Sequence, residues 1–322
     1  MKKCCQSKEY KKIKKNNDNL YNNFDIKLRN SILILKLHKD NINCAIVLND
    51  GRLATSSKDN SIIIYNKKTY KPDLVIKEHI DVVNCILQLS TGMLVSCSGD
   101  KTIKIFKLKY NNYEVFQSLN NSKYSFFKII ELSNKKLVSS SHGFINIYAK
   151  NNNNKYSKEF EIKTQDSCWN VIQTKENEIC YSDDVYKSGK ICFYNLLEHK
   201  IINEIDNINT SGINCFNMIT KDLLLITGKK KLMVVNFNQY NMVRIINVPD
   251  SSYIMSPIML NENIILTGDY KNQIKQWRIE GDNLKLISMK ENAHNNPIKI
   301  LINLGDGHIL SASENDGVAK IW

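Results

Sequence analysis

The chain has few of the residues that interrupt regular structure and few of the motifs that build cofactor sites. It has only four prolines in 322 residues, and it contains no CxxC spacing, GxxxxGK loop or GxGxxG loop. Their absence gives no support to a thiol metal site or to nucleotide binding through a glycine-rich loop. No run approaches the roughly 18 apolar residues of a membrane span, and no apolar core follows the basic start. We therefore expect a soluble, non-secreted protein, cytoplasmic or nuclear, with no cofactor and no small-molecule substrate.

Acidic residues are also in deficit, and the resulting positive charge is unevenly distributed. Lys and Arg outnumber Asp and Glu by 45 to 32, and residues 1–15 hold seven lysines against Glu9. We predict a basic, disordered tail over 1–20 and a single domain over 21–322. The tail could contact phosphate groups or anionic lipid. The alternative is that the many Asn, Lys and Ile residues reflect a nucleotide bias of the genome.

The nine cysteines lack the spacing of a disulfide framework, which indicates a reducing compartment. Cys4 and Cys5 lie beside the basic run, where acylation is one alternative, while Lys2 excludes myristoylation. Cys44, Cys85 and Cys215 recur in the tripeptides INC, VNC and INC. We interpret these three as packing thiols of equivalent strands.

One pattern occurs seven times: an apolar strand, a second strand ending in small residues, a tight turn, and a third strand. The second strands read RLATSS (52–57), MLVSCS (93–98), KLVSSS (136–141), EICYSD (178–183), LLLITG (223–228), IILTGD (264–269) and HILSAS (308–313). The third strands end near Tyr65, Phe106, Tyr148, Tyr194, Asn236, Trp277 and Trp322. These ends are 41 to 46 residues apart, close to the period of roughly 40 to 45 residues for four-stranded propeller blades.

This repeat predicts an all-β fold, a seven-bladed β-propeller. Each unit is too small to bury both faces of its own sheet, so the blades must stack and close into a ring. The chain stops at the end of a third strand, which leaves the last blade one strand short. We expect the N-terminal strand ILILKL (32–37) to pair with that blade and close the ring.

Over residues 32–322 the sequence resembles the WD40-repeat family. The resemblance rests on the endings KIF (104–106), KQW (275–277) and KIW (320–322), and on three turn histidines and three turn aspartates, His38, His79, His294, Asp59, Asp100 and Asp316. In blades 1, 2 and 7 the aspartate lies six residues before the terminal aromatic residue.

The resemblance implies a hydrogen-bonded set of His, Ser or Thr, Asp and Trp that stiffens a blade. Blade 7 matches it in full, and blades 1 and 2 match it in part, because Tyr65 and Phe106 replace the Trp. The predicted sets comprise His38, Thr55 and Asp59; His79, Ser96 and Asp100; and His294, Ser311, Asp316 and Trp322. Blades 3 to 6 depart, with Tyr124, Asp166 and Ser252 near the His position and His142 and Lys230 at the Asp position.

Repeated His, Ser and Asp residues also occur in nucleophilic catalysis. Here they recur with the period of the fold, and nothing distinguishes one blade as an active site. We therefore expect a protein that is not an enzyme.

The turns between second and third strands and the loops leading into the blades are expected to share one face. The predicted partner-binding residues are Lys58, Lys101, Trp169, Tyr186, Lys187, Lys190, Lys229, Lys230, Lys231, Tyr253, Tyr270 and Lys271. Aromatic residues among cations suit an acidic or phosphorylated segment. Solvated turn lysines and a Trp169 packed between blades are the alternative. An extra stretch in blade 4, DDVYKSGK (183–190), is the preferred specificity element.

Two functions follow from these observations. The resemblance favours a non-catalytic scaffold or substrate receptor that binds a peptide or a protein surface within a multi-subunit complex. The alternative is an RNA-associated propeller of a ribonucleoprotein complex, with the basic tail and the lysines on phosphate. A steep loss of affinity with salt would indicate RNA.

Overall fold

A computed structural model describes residues 24–36, 38–120, 123–183, 189–206, 208, 212–248, 253–280 and 283–322. The predicted tail over 1–20, its boundary with the propeller, and most of the blade 4 stretch lie outside these residues. The described chain divides into two compact units, one of 24–36, 217–314 and 318–322 and the other of 38–216 and 315–317. None of the described helical residues forms a segment long and apolar enough to cross a membrane.

The unit of residues 38–216 contains blades 1 to 4, each an antiparallel sheet in chain order. Blade 1 has β2 (Ile42–Val47), β3 (Leu53–Ser57), β4 (Ile62–Tyr65) and β5 (Pro72–Ile76). Blade 2 has β6 (Val83–Gln88), β7 (Leu94–Ser98), β8 (Ile103–Leu108) and β9 (Tyr113–Leu119). Blade 3 has β10 (Phe126–Glu131), β11 (Leu137–Lys150) and β12 (Tyr156–Ser167), and blade 4 has β13 (Val171–Lys175), β14 (Glu178–Asp183), β15 (Lys190–Asn195) and β16 (Lys200–Ile205).

Three further sheets complete the described fold. Blade 5 has β17 (Ile213–Met218), β18 (Leu223–Gly228), β19 (Lys231–Asn236) and β20 (Asn241–Asn247). Blade 6 has β21 (Ile254–Asn261), β22 (Ile264–Asp269), β23 (Ile274–Glu280) and β24 (Asn283–Lys290), and blade 7 has β25 (Ile298–Asn303), β26 (Ile309–Ser313), β27 (Val318–Ile321) and β1 (Leu33–Lys36). The fold class is the predicted one, an all-β protein of the seven-bladed propeller type.

The last blade is completed by the N-terminal strand, as the sequence predicts. β1 pairs antiparallel with β27, with Leu33 opposite Ile321 and Lys36 opposite Val318. The backbone N–H of Ile32 extends the ladder by donating to Ile321 O at 2.8 Å. β1 is the outermost strand of a sheet whose other strands come from the C-terminal part of the chain, so the pairing joins the two parts without a covalent bond.

The second strands are buried on both faces, which follows from the stacking of the sheets. Every residue of β3, β7, β14, β22 and β26 is buried. Small residues are needed where neighbouring sheets approach each other. A Cβ added to Gly268 in blade 6 would lie 2.5 Å from Cγ2 of Ile298 in blade 7. Glycine at this position therefore allows the two sheets to touch.

A β-bulge recurs in the first strands. The register against the second strand shifts between Ile42 and Cys44, between Val83 and Cys85, and between Phe126 and Lys128. A bulge redirects one side chain out of the regular alternation. In blades 1 and 2 the redirected residue is an asparagine that reaches the next blade: Asn43 Nδ2 donates to Val83 O at 3.4 Å, and Asn84 Nδ2 donates to Phe126 O at 2.7 Å.

In blade 3 the predicted second and third strands form one element, β11 (Leu137–Lys150). Its first part pairs with β10 and its second part pairs with β12. The Ser139 hydroxyl nevertheless lies against the Tyr148 phenol, although a straight strand would separate residues nine apart by about 30 Å. β11 must therefore fold back on itself, and Gly143 provides the reversal with a φ of +76°.

Residues 24–29 pack against blade 6 ahead of β1. Phe24 and Ile26 are 5% and 0% exposed within an apolar cluster that includes Leu266 and Trp322. Gln276 donates from Nε2 to Phe24 O at 2.6 Å and accepts at Oε1 from Ile26 N at 3.0 Å. The short 3-10 helix Ile26–Leu28 lies in this segment. The N-terminal segment is thus part of the core of the unit.

Candidate binding surfaces

Blade 1 contains a continuous set of hydrogen bonds around a buried histidine. His38 Nδ1 lies 3.0 Å from Asp59 Oδ2 and 3.1 Å from Ser61 Oγ, and Nε2 lies 2.8 Å from Thr55 Oγ1. The Tyr65 hydroxyl also bonds to Thr55. With Nδ1–H donated to Asp59, Nε2 accepts the Thr55 proton, and Thr55 accepts from Tyr65. Tyr65 therefore takes the donor position that Trp holds in the family set.

The environment favours the neutral form of this histidine and the charged form of its aspartate. Burial lowers the pKa of His38, against the influence of Asp59. Burial alone would raise the pKa of Asp59, but hydrogen bonds from the Ser61 hydroxyl and the Lys39 N–H, together with His38, lower it. A neutral imidazole that donates to a carboxylate satisfies both polar groups without burying a second charge.

Blade 2 has the same hydrogen bonds around His79, but the set stops at Ser96 because no aromatic donor follows. His79 Nδ1 lies 2.7 Å from Asp100 Oδ2, and Nε2 lies 2.6 Å from Ser96 Oγ. Phe106 is fully buried and has no donor, and it packs edge-on against Tyr113 with 5.8 Å between ring centroids. Burial lowers the pKa of His79 as well.

In blade 7 the two rings of the predicted set bond to one hydroxyl group. His294 Nε2 lies 2.6 Å from Ser311 Oγ, and Trp322 Nε1 donates to the same oxygen at 2.7 Å. Asp316 is half-buried in the turn between β26 and β27. Ser311 is fully buried, so its hydroxyl connects the two rings inside the blade.

Blade 6 contains a different polar set, which the sequence reasoning missed. Trp277 Nε1 donates to Thr267 Oγ1 at 2.9 Å. Lys275 Nζ lies 3.0 Å from Asp269 Oδ2, and both side chains are almost completely buried. Asp269 Oδ1 also accepts from the backbone N–H groups of Lys271 and Gln273. The sequence contains TGD at 267–269 and KQW at 275–277, but it does not show that Asp269 and Lys275 form an ion pair.

These polar sets are closed to large molecules. Thr55, Ser96 and Ser311 are each 0% exposed. An acyl or phosphoryl group could not reach hydroxyls in these positions without opening the blade. Within the described residues, no three His, Cys, Asp or Glu side chains are placed so that they could hold a metal ion.

The predicted turn lysines differ in the exposure of their side chains and in their contacts with carboxylates. Lys58 is exposed, with Nζ 3.7 Å from Asp40 Oδ2, and Lys101 is exposed in a left-handed turn position with a φ of 69°. Lys190 is only 14% exposed, because its ammonium lies 2.7 Å from Glu204 and 3.8 Å from Asp206. The structure thus engages Lys190 within its own blade. Tyr186 and Lys187 lie outside the described residues.

Trp169 is half exposed, and the structure shows what holds it in place. Its ring stacks on Phe127 with 4.0 Å between centroids and 23° between planes, and 50% of Trp169 is exposed. Phe127 lies at the bulge position of β10, where blades 1 and 2 have Asn43 and Asn84. Stacking on the next blade here replaces the hydrogen bond made by the asparagines.

The chain on either side of Trp169 is firmly anchored. Cys168 is fully buried, and Asn170 Nδ2 donates to Ile213 O at 3.2 Å. The backbone N–H of Asn170 donates to Ser182 Oγ, also at 3.2 Å. The indole is therefore presented from a rigid backbone.

More aromatic groups surround the reversal of blade 3. Tyr124 packs against His142 and Phe144, with centroid distances of 5.6 and 5.8 Å. His142 is exposed and contacts Ser167 and Asp166, which lead directly to Trp169. We call these five residues, Tyr124, Phe127, His142, Phe144 and Trp169, the aromatic patch. The sequence analysis predicts Trp169 as a binding residue and does not include Phe127 or Phe144, although Phe127 departs visibly from the Asn at the bulge position of the first two repeats.

The other compact unit contains a second group of predicted residues. Tyr253 and Tyr270 lie with ring centroids 5.3 Å apart, and Lys229 Nζ lies 5.7 Å from the centroid of Tyr253. The Tyr270 hydroxyl donates to Glu314 Oε1 at 3.0 Å. Lys230 and Lys271 are exposed, and Lys231 is half-buried at the start of β19. We call Lys229, Tyr253 and Tyr270 the tyrosine patch.

Comparison with known proteins supports the family suggested by the motifs. The family model described as "WD domain, G-beta repeat" matches residues 29–66 and 70–107. These ranges extend from β1 to β8 and include His38, Asp59, His79 and Asp100. No curated protein sequence matches the chain. The matched ranges are similar to WD40 repeats, and the seven sheets repeat the same strand pattern in a β-propeller.

Proposed function

We propose that this protein is a non-catalytic scaffold or substrate receptor that binds a protein segment through the aromatic patch, as a subunit of a larger assembly. Propellers of the WD40 type are generally protein-interaction scaffolds. The observation that carries the proposal is the half-exposed Trp169 stacked on Phe127. Partner-binding energy is concentrated in a few aromatic and Arg side chains, and ordering these in advance lowers the entropic cost of binding.

The charge around the patches favours an acidic or phosphorylated segment. Lys123 Nζ lies 5.5 Å from the centroid of Tyr124, and His142 is exposed beside it. Lys229 lies against Tyr253 in the same way in the tyrosine patch. Ammonium groups beside ring faces provide both electrostatic steering and a desolvated contact surface.

A protein partner fits better than RNA because two of the predicted lysines already have carboxylate partners. Lys58 lies near Asp40, and Lys190 contacts Glu204 and Asp206. Affinity for RNA depends on cations that are free to displace counterions from phosphate. The buried hydroxyls of Thr55, Ser96 and Ser311 support a binding role over a catalytic one.

Affinity purification of the full chain followed by mass spectrometry tests the proposal. Trp169→Ala is compared with Leu197→Ala, a matched control at another exposed apolar side chain of the same unit, 70% exposed. We expect a defined set of proteins to bind the wild type and the control and to be lost with Trp169→Ala. Retention of the full set by Trp169→Ala would overturn the assignment of the patch.

Two further treatments separate partner classes. Ribonuclease should leave the protein set unchanged, and loss of the set after ribonuclease would favour the RNA alternative. Changing Lys229, Lys230 and Lys231 together to Glu should weaken capture of acidic partners. If the triple variant captures the same proteins at the same level, the tyrosine patch takes no part in binding.

A further inference from the structure

The first strands of blades 1 to 3 bring two thiols and one ammonium group together. Cys44, Cys85 and Lys128 each follow the bulge of their own strand, so they occupy equivalent positions of β2, β6 and β10. The Cys44 and Cys85 sulfur atoms are 4.0 Å apart. Lys128 interacts electrostatically with both thiols and, more weakly, with Cys215.

Packing explains why small residues occupy these positions, but it does not explain a lysine among them. Lys128 takes the place that Cys44 and Cys85 hold in their blades, and its ammonium faces sulfur atoms. An ammonium group in such surroundings favours ionised thiols. It also disfavours a bound cation, so the geometry points to thiol chemistry and not to metal binding.

The two sulfur atoms have different electrostatic environments. Hydrogen bonds from the Cys44 and Cys97 thiols, together with the Lys128 ammonium, lower the pKa of Cys85. The pKa of Cys44 is raised, first through its hydrogen bond to Cys85 and then through burial. Cys85 is therefore the thiol that ionises more readily, and Cys44 is placed to donate to its sulfur.

Access to the pair is limited to small molecules. Cys85 is 4% exposed, whereas Cys44 and Lys128 are half-buried. This limited exposure of Cys44 and Lys128 restricts the oxidant to a small neutral molecule such as hydrogen peroxide. A disulfide bond requires the two sulfur atoms to approach from 4.0 Å to about 2.05 Å.

We propose that Cys44 and Cys85 form a reversible oxidation site that links blades 1 and 2 covalently. The Cys85 thiolate attacks hydrogen peroxide, one oxygen is transferred to sulfur, and hydroxide leaves and is protonated to water. The Cys44 thiol then attacks the Cys85 sulfenic acid, and a second water is released as the sulfur–sulfur bond forms. In sum, two thiols and one peroxide give one disulfide and two waters.

Such a bond would join strands that share no hydrogen-bonded ladder. β2 and β6 belong to different sheets. A disulfide between them closes the chain from residue 44 to residue 85, and a cross-link of this kind chiefly restricts the unfolded state. Oxidation should therefore raise the free energy of unfolding of this unit, and thiol reductants should reverse the effect.

Peptide mapping of the full-length protein tests the proposal. Reduced protein is treated with increasing hydrogen peroxide, blocked with N-ethylmaleimide and digested with trypsin. Cys44 then lies in peptide 40–52, while Cys85 and Cys97 share peptide 78–101. We expect these two peptides to be joined, and to separate again after treatment with dithiothreitol. Fragmentation of the joined pair should place the bond on Cys85.

The variants are chosen so that folding defects do not obscure the result. Cys97→Ser and Cys215→Ser should keep the cross-link, whereas Cys44→Ser and Cys85→Ser should abolish it. Lys128→Met should slow cross-linking at least tenfold, and Lys128→Arg should restore most of the rate. An internal Cys85–Cys97 bond within peptide 78–101, the absence of any bond in the folded wild type, or an unchanged rate in Lys128→Met would each overturn the proposal.

Discussion

Asp269 and Lys275 form an ion pair of 3.0 Å inside blade 6, with side chains that are 1% and 3% exposed. Removing one partner leaves the other charge buried and uncompensated, at a cost of about 3–5 kcal/mol. Lys275→Met should therefore lower the free energy of unfolding by this amount. Lys285→Met, at an exposed position of the same sheet, should change it by less than about 0.5 kcal/mol. Urea unfolding checks both values, and equal effects would show that the pair does not stabilise the blade.

Two buried threonines provide a matched test of the Trp277 hydrogen bond. Thr267 accepts from the indole, whereas no described group bonds to the buried hydroxyl of Thr227 in blade 5. Thr267→Val should lower the free energy of unfolding by about 1–3 kcal/mol, because the indole N–H loses its acceptor. Thr227→Val should be neutral or stabilising. A larger loss with Thr227→Val, measured by chemical denaturation, would contradict this account.

The strand that completes blade 7 should be essential for stability. Deleting residues 30–37 removes β1 and leaves β27 as an unpaired edge, so thermal unfolding should occur at a much lower temperature. Deleting 1–20 should leave the melting temperature unchanged. Differential scanning calorimetry compares the two proteins. Equal melting temperatures for the two truncated proteins would show that β1 does not stabilise blade 7.

The segment ahead of β1 should contribute through burial and not only through its backbone. Ile26 is fully buried beside Leu266 and Trp322. Ile26→Ala should lower the free energy of unfolding by about 2–5 kcal/mol through lost contacts and a cavity. Ile32→Ala removes a side chain that is 65% exposed and provides the control. Equal urea midpoints for the two variants would mean that residues 24–29 are not docked in solution.

Stability should fall as the solution becomes mildly acidic. Burial lowers the pKa of His38 and His79, so below about pH 6.5 the unfolded chain binds protons that the folded chain does not. The free energy of unfolding should decrease with falling pH, by at most about 1.4 kcal/mol per pH unit for each histidine. The lowered pKa values of Asp59 and Asp100 add a further loss only below about pH 5.

Urea titrations at pH 7.5, 6.5 and 5.5 measure this dependence. His79→Gln should be less stable at pH 7.5 but should show a shallower pH dependence than the wild type. An unchanged slope in the variant would mean that His79 does not titrate differently in the folded and unfolded states.

Much of the fold followed from periodicity. The second strands were predicted to within a residue or two, because alternating small and apolar residues recur with the spacing of the blades. The pairing of β1 with blade 7 was predicted because one strand precedes the first repeat and the last repeat is one strand short. In blade 3 the sequence predicts two strands, whereas the structure has the single element β11, with Gly143 at the reversal.

The candidate sites were only partly predictable. Trp169, Tyr253 and Tyr270 were identified from residue type and position, but the stacking of Phe127 beneath Trp169 was not. Lys190 was expected to be a surface cation, and its pairing with Glu204 could not be anticipated, because β15 and β16 set that contact.

The sequence by itself determined the number of repeats, the strands and the closing pair, because each depends on local patterning repeated along the chain. Only the tertiary structure decided which side chains meet between blades. Cys44 and Cys85, or Phe127 and Trp169, lie about 42 residues apart, and the bulges of β2, β6 and β10 set the direction of Cys44, Cys85 and Phe127. Such directions depend on how two sheets twist and stack, which no single repeat encodes.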